Sequence, residues 1–168
     1  MSNPKDNLLD WLRDAHAMEE QAEQMLTRLA GRIQNYPELK ARIERHIEET
    51  RRQAGVVRQC IKRCGGDTST LKDAAGKVMA FAQGISGVFA EDEIVKGTLA
   101  SYTFEHMEIA SYRILIAAAQ ECGDRQTATD CELILKEEIA MADWLEQNMP
   151  AITQRFLQRK LADVEAKH

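Results

Sequence analysis

The sequence predicts an all-α fold: a four-helix bundle of up-down-down-up connectivity, with a long crossover between its second and third helices and an extra C-terminal helix. Three observations predict it. Aromatic residues make up only 5% of the chain, while long stretches are rich in Ala, Leu, Ile, Glu, Lys, Arg and Gln, which favours helices over strands. Prolines stand only at 4, 37 and 150, at the expected ends of those stretches. Within the stretches, apolar residues recur in alternating gaps of three and four, the period of one helix face. A length of 168 residues suits one domain, 1–168, because a chain of ~150 residues buries roughly 70% of its unfolded surface.

The first helix opens with Asn3 as N-cap, Pro4 in the first helical position and Asp6 in the first turn, and its pattern persists to about residue 34. The turn Asn35-Tyr36-Pro37 ends it. A second helix covers about 37–64, and Gly65-Gly66 supplies a left-handed stop. Residues 65–90 are too many for a hairpin and include a short amphipathic piece near Leu71, so they read as a crossover. The third helix, about 91–122, begins with Glu91, Asp92 and Glu93, acids that complement a helix N-terminus, and stops before Gly123. Asp124 caps the fourth, about 125–148; Pro150 is expected to break it, leaving a C-terminal helix at about 151–164. Two long hairpins joined by a long crossover is the ferritin-like connectivity.

Charge excludes some partners. The net charge of −5, without a block of five or more like charges, lacks the basic footprint of a nucleic-acid binder. The longest apolar run, Ile114 to Ala119, is far short of the ~20 residues that span a bilayer, and the N-terminus has no apolar core of a signal peptide. A cytoplasmic protein with neither nucleic-acid nor membrane partner is the expectation. Cys60 and Cys64 lie one turn apart on a helix without a knuckle-type turn, so they and Cys122 and Cys131 read as free thiols.

The informative residues are acids where apolar side chains belong. The first helix carries the seam Leu12, Ala15, Glu19, Ala22, Leu26, Leu29 and Ile33. The third repeats the pattern with Ile94, Thr98, Ser101, Glu105, Glu108, Tyr112, Leu115 and Ala119, and the fourth with Cys131, Leu135, Glu138, Ala142 and Leu145. On the second, Ile43, Ile47, Thr50, Ala54 and Val57 lie beside a line of His46, Glu49, Gln53 and Cys60. An unpaired carboxylate in a bundle interior costs several kcal/mol or takes up a proton. Acids on four helices need a common cause, and metal cations are the usual compensation.

Spacing supports convergence. Glu19 and Glu49 are thirty residues apart around the Asn35-Tyr36-Pro37 turn, and Glu108 and Glu138 are thirty apart around Gly123. Each hairpin therefore sets its pair at one height, about fifteen residues or ~22 Å from its turn. Dinuclear carboxylate bundles usually add a Glu-x-x-His pair on two helices. Here Arg52 and Met141 stand three residues after Glu49 and Glu138, and the histidines instead precede: His16-x-x-Glu19 and His46-x-x-Glu49, with Glu105-x-x-Glu108 at the equivalent place. Expected metal ligands are thus Glu19, Glu49, Glu108, Glu138, His46, Glu105 and His16, with Gln53 and Tyr112, each one turn after a core glutamate, as hydrogen-bonding support. His106 falls on another face of its helix.

At these residues the chain resembles the YciE/YciF family of ferritin-like, stress-associated proteins. The resemblance is carried by WLRDAHAMEEQAEQML, RIERHIEETRRQ, FEHMEIASY and KEEIAMADWL in the four helices, with NYPELKARIE and DEIVKGTLASY, and covers nearly the whole chain. It implies a homodimer, a two-metal site, presumed iron with Mn or another divalent ion as alternatives, and a bacterial stress response; it implies no particular reaction. Where relatives often carry an Asp four residues after the fourth helix's glutamate, this chain has Ala142. Two function classes stay open: a dinuclear protein that oxidises Fe(II) or reduces a small oxidant such as O₂ or H₂O₂, and a dimeric helical interaction protein with a structural acidic site.

Overall fold

The computed structural model describes residues 3–67 and 93–162, which form four helices. Helix α1 is Pro4–Arg32, α2 is Pro37–Arg63, α3 is Glu93–Glu121 and α4 is Arg125–Leu161. Local residues set several of these ends. Asn3 accepts from the backbone of Lys5 while the Asp6 carboxylate accepts the Asn3 N–H, so two orphan donors at the start of α1 are satisfied. Asp124 accepts from the Thr127 backbone N–H at 3.0 Å and caps α4. Gly65 and Gly123 adopt φ values of 80° and 72°, the left-handed stops that follow α2 and α3. The expected crossover at 65–90 falls almost wholly outside the described residues.

One element differs. The separate C-terminal helix expected from about 151 is instead the last part of α4, which runs unbroken through Pro150. A proline inside a helix costs ~3 kcal/mol through a lost hydrogen bond and a clash with the preceding turn. Burial of Ile152 and Phe156, at 7% and 5% exposure, opposes that cost, Ile152 packing with Tyr36, Leu39 and Leu145. Arg155 lies over the Tyr36 ring, 5.4 Å from its centroid, which adds a second anchor beyond the proline.

Helix directions follow from two apolar clusters. One joins Leu8, Leu12 and Ala15 of early α1 to Val57 and Ile61 of late α2, Leu115 and Ala119 of late α3, and Ala128 and Cys131 of early α4. The other joins Leu29 and Ile33 at the end of α1 to Leu39 and Ile43 of early α2, Ile94 of early α3, and Met141 and Leu145 further along α4. Only an up-down-down-up order brings those segments together at opposite ends of one bundle. α1 packs on α2 and α3, and α4 packs on α3 and α2. No helix among the described residues is long and apolar enough to cross a membrane.

Candidate metal centre

Between the two clusters the interior turns polar. His16, Glu19, His46, Thr50, Gln53, Ser101, Glu105, Glu108 and Glu138 are all buried at this level. Each acid is there because its helix face is apolar on either side: Leu12, Ala15, Ala22 and Leu26 bury the face that carries Glu19, and Met141 and Leu145 with Cys131 bury the face that carries Glu138.

The geometry selects a core set. His46, Glu105, Glu108 and Glu138 each offer a ligand atom, and these atoms all lie within 4.8 Å of one another. His46 Nε2 sits 3.2 Å from Glu105 Oε2 and 3.5 Å from Glu138 Oε2. Gln53 Nε2 donates to Glu138 Oε1 at 2.5 Å and to Glu137 Oε2 at 2.9 Å, tying the buried acid to one at the surface. Glu19 stands beside the set, held by a hydrogen bond from the Tyr112 hydroxyl. Gln53 and Tyr112 thus reach acids on other helices than their own, Glu138 and Glu19.

Two candidate ligands are placed differently. Glu49, with its side chain 24% exposed, accepts from His46 Nδ1 at 2.8 Å, on the side of the ring away from Glu105 and Glu138. Its second partner is Arg42 Nη1 at 3.4 Å. His16 is buried but turned toward α2, where its Nε2 accepts from Arg58 at 3.2 Å, and its Nδ1 lies 3.8 Å from Glu20. His106 is exposed and packs edge-on against Tyr102.

Electrostatics show an excess of acid. Burial, reinforced by Glu138, raises Glu19 and Glu108 well above the usual carboxylate range. Burial likewise pushes Glu105 up to about 8 against the attraction of His46. Burial alone would lower His46, but the charge of Glu105 outweighs it and the ring is pushed up to about 12. Burial also acts to raise Glu138, yet the hydrogen bond and charge of His46 hold it below the ordinary value. Glu49 is lowered, chiefly by the hydrogen bond from His46. Without a metal, then, one imidazolium and shared protons neutralise the cluster.

The residues fit a metal. Neither oxygen of Glu108 has a hydrogen-bond partner among the described residues, nor does Oε2 of Glu19, although both side chains are buried. Such orphaned oxygens are costly unless a cation satisfies them. Three carboxylates and one imidazole within reach of a single point suit a first-row ion such as iron, manganese or zinc.

Sequence reasoning missed Arg42, which is only 6% exposed. Its signal was the interval of seven residues to Glu49, two turns along one face. Glu137 was also missed; it accepts from Gln53 and pairs with Arg52.

Comparison with known proteins agrees with the architecture. A family profile described as a domain of unknown function, DUF892, matches residues 3–158. A crystal structure of a Xanthomonas campestris protein is 41% identical, covers 95% of this chain and 99% of its own, and superposes with a TM-score of 0.81. The Escherichia coli stress protein YciF is 25% identical over 89% of this chain and 96% of its own, with a TM-score of 0.72. A Bacillus anthracis structure described as ferritin-like, diiron-carboxylate is 18% identical, covers 89% of this chain and 99% of its own, and has a TM-score of 0.72, a likeness of fold. The chain thus has a ferritin-like four-helix fold and belongs to the DUF892 family, in line with the resemblance to the YciE/YciF family.

Proposed function

We propose that this protein binds two metal ions, iron by preference, and takes part in a bacterial stress response. The observation that carries the reading is the buried set of His46, Glu105, Glu108 and Glu138, with ligand atoms within 4.8 Å and both Glu108 oxygens lacking a donor among the described residues. These four residues would hold one ion. Glu19, whose Oε2 has no partner among the described residues, would hold the second together with Glu108 and Glu138. Bound there, iron would supply one-electron chemistry toward a small oxidant such as O₂ or H₂O₂, with Fe(II) itself as the alternative substrate.

The protein's own groups prepare that site. Gln53 fixes the rotamer of Glu138 and Tyr112 that of Glu19, so neither acid has to be ordered when an ion arrives. Apolar clusters above and below exclude bulk water, which strengthens every charge interaction between them. The similarity to the stress protein YciF supports the physiological setting. On the helix segments quoted above we place the chain nearest the enterobacterial YciE branch, as a cytoplasmic homodimer.

One observation favours a second reading, in which the ion is held without turnover. The residues three after Glu49 and Glu138 are Arg52 and Met141, and Ala142 stands where relatives often carry an Asp, so ligands of an active dinuclear centre are missing. Metal analysis of protein purified with Fe(II), followed by stopped-flow absorption on mixing with O₂ or H₂O₂, separates the two. Two irons per chain and an oxidation transient are expected. Stoichiometric metal without a transient supports the second reading, and no stoichiometric metal overturns both.

A further inference from the structure

We infer that Glu49 is a positioning residue for His46 and not a metal ligand, so that α2 contributes a nitrogen to the centre where the even spacing of acids had suggested an oxygen. The inference rests on the metal-binding reading above, and it deepens that reading by setting the donor atoms of the site.

The geometry is directional. His46 presents Nε2 to Glu105 and Glu138 at 3.2 and 3.5 Å, and its other nitrogen, Nδ1, meets Glu49 Oε2 at 2.8 Å. An imidazole ligates a metal through one nitrogen while the other keeps its proton and donates it to an acceptor. Glu49 is that acceptor. Its hydrogen bond keeps the proton on Nδ1, so that a metal displacing the Nε2 proton would meet the Nε2 lone pair on the side of the carboxylates.

Glu49 is held outside from a second direction. Arg42, almost fully buried, reaches its Oε2 at 3.4 Å. Turning the Glu49 carboxylate inward would take away an acid partner of a buried guanidinium and the acceptor of His46 together, each a costly loss. The contrast with the other acids is one of environment. Glu105, Glu108 and Glu138 are at most 1% exposed, whereas the Glu49 side chain is 24% exposed and has cationic partners already.

The offset of nearly one turn explains how an acid in register can miss the site. His46 and Glu49 lie one turn apart on the same face of α2, so the bulk of the imidazole fills the space between Glu49 and the bundle axis. The thirty-residue spacing aligned backbones at one height; it did not decide which side chain of the His46-x-x-Glu49 pair reached the centre.

Full-length protein titrated with Co(II), as wild type and as Glu49→Gln, Glu49→Ala and Glu105→Gln, tests the assignment. The visible bands report the donor set, and equilibrium dialysis reports stoichiometry and affinity. Glutamine at 49 still accepts the Nδ1–H, so its bands and stoichiometry are expected to match wild type with less than ~10-fold weaker binding, while alanine loses ~10–100-fold with unchanged bands. Glu105→Gln is expected to shift the bands. Altered bands or reduced stoichiometry in Glu49→Gln, matching those of Glu105→Gln, would overturn the inference while leaving the metal-binding reading intact. A wild type that binds no stoichiometric Co(II) overturns both. In Zn(II)-loaded protein, ¹⁵N NMR of the His46 ring is expected to show a protonated Nδ1 and a metal-bound Nε2; the reverse pattern refutes the assignment whatever the variants do.

Discussion

Replacing Glu108 with Met offers the sharpest test of whether the acidic layer exists for a metal or for the fold. Glu108 is 1% exposed, and neither of its oxygens has a hydrogen-bond partner among the described residues. Burial and the neighbouring Glu138, Glu19 and Glu105 raise its pKa, so metal-free protein favours its protonated form, which shares a proton with Glu138 and leaves its other oxygen without a donor among the described residues. Leaving such a group buried and unpaired costs ~1–3 kcal/mol, and methionine has nearly the same length and volume with none of that cost. Glu108→Met is therefore expected to stabilise the chelator-treated protein by ~2 kcal/mol, which at this chain length raises Tm by ~4–8 °C. Saturating metal should reverse the order: an ion present at ~100 times its Kd stabilises the wild type by ~2.7 kcal/mol and leaves a variant without the ligand unaided. Urea and thermal denaturation of both proteins, with chelator and with Fe(II) under anaerobic conditions, measure the two gaps. A variant that is less stable than wild type by more than ~1 kcal/mol in chelator refutes the argument, because Glu108 would then be supporting the fold.

Other expectations follow from the same structure. The pKa of Glu105 is raised from 4.5 to about 8 on folding, so its favourable contribution is complete below pH 4.5 and is lost as pH rises through 8. Metal-free protein is thus expected to lose stability on the order of a few kcal/mol between pH 5 and 8.5, and Glu105→Gln should flatten that slope in denaturant titrations; a slope that persists unchanged assigns it elsewhere. Metal affinity should rise over the same window, since the ion displaces protons held by the cluster; dialysis at pH 6 and pH 8 checks it. Pro150→Ala restores a helical hydrogen bond within a continuous α4 and is expected to raise stability by ~1–2 kcal/mol, whereas a true break at this point would leave it neutral or lower. Asp124→Ala removes the acceptor of the Thr127 N–H and hydroxyl and should cost ~1 kcal/mol in chemical denaturation, with metal binding unchanged.

Much of this protein is legible without coordinates, because helices in a bundle are local objects. The seams of α1 and α3 were read from spacing alone, and Leu12, Glu19, Leu26, Glu105, Glu108 and Tyr112 are all buried as that period requires. Caps at Asn3 and Asp124 and stops at Gly65 and Gly123 were equally visible, since each depends on a few neighbouring residues. Pro150 misled for the opposite reason. A local rule ends the helix there, but the distant partners Tyr36 and Leu39 bury Ile152 beyond it, and tertiary packing outweighs the local cost.

The sequence by itself determined that ligand-type residues on all four helices would stand at one level of a bundle, since helical rise converts residue spacing into height. It also determined which elements pair, through the lengths of their connections. Only the tertiary structure decided the rotation and reach of each side chain: that His46 points its Nε2 inward and Glu49 stays at the rim with Arg42, that His16 turns to Arg58, and that Gln53 spans Glu137 and Glu138. Those choices depend on which neighbour from another helix occupies the space beside each residue, and a one-dimensional period holds no record of that neighbour.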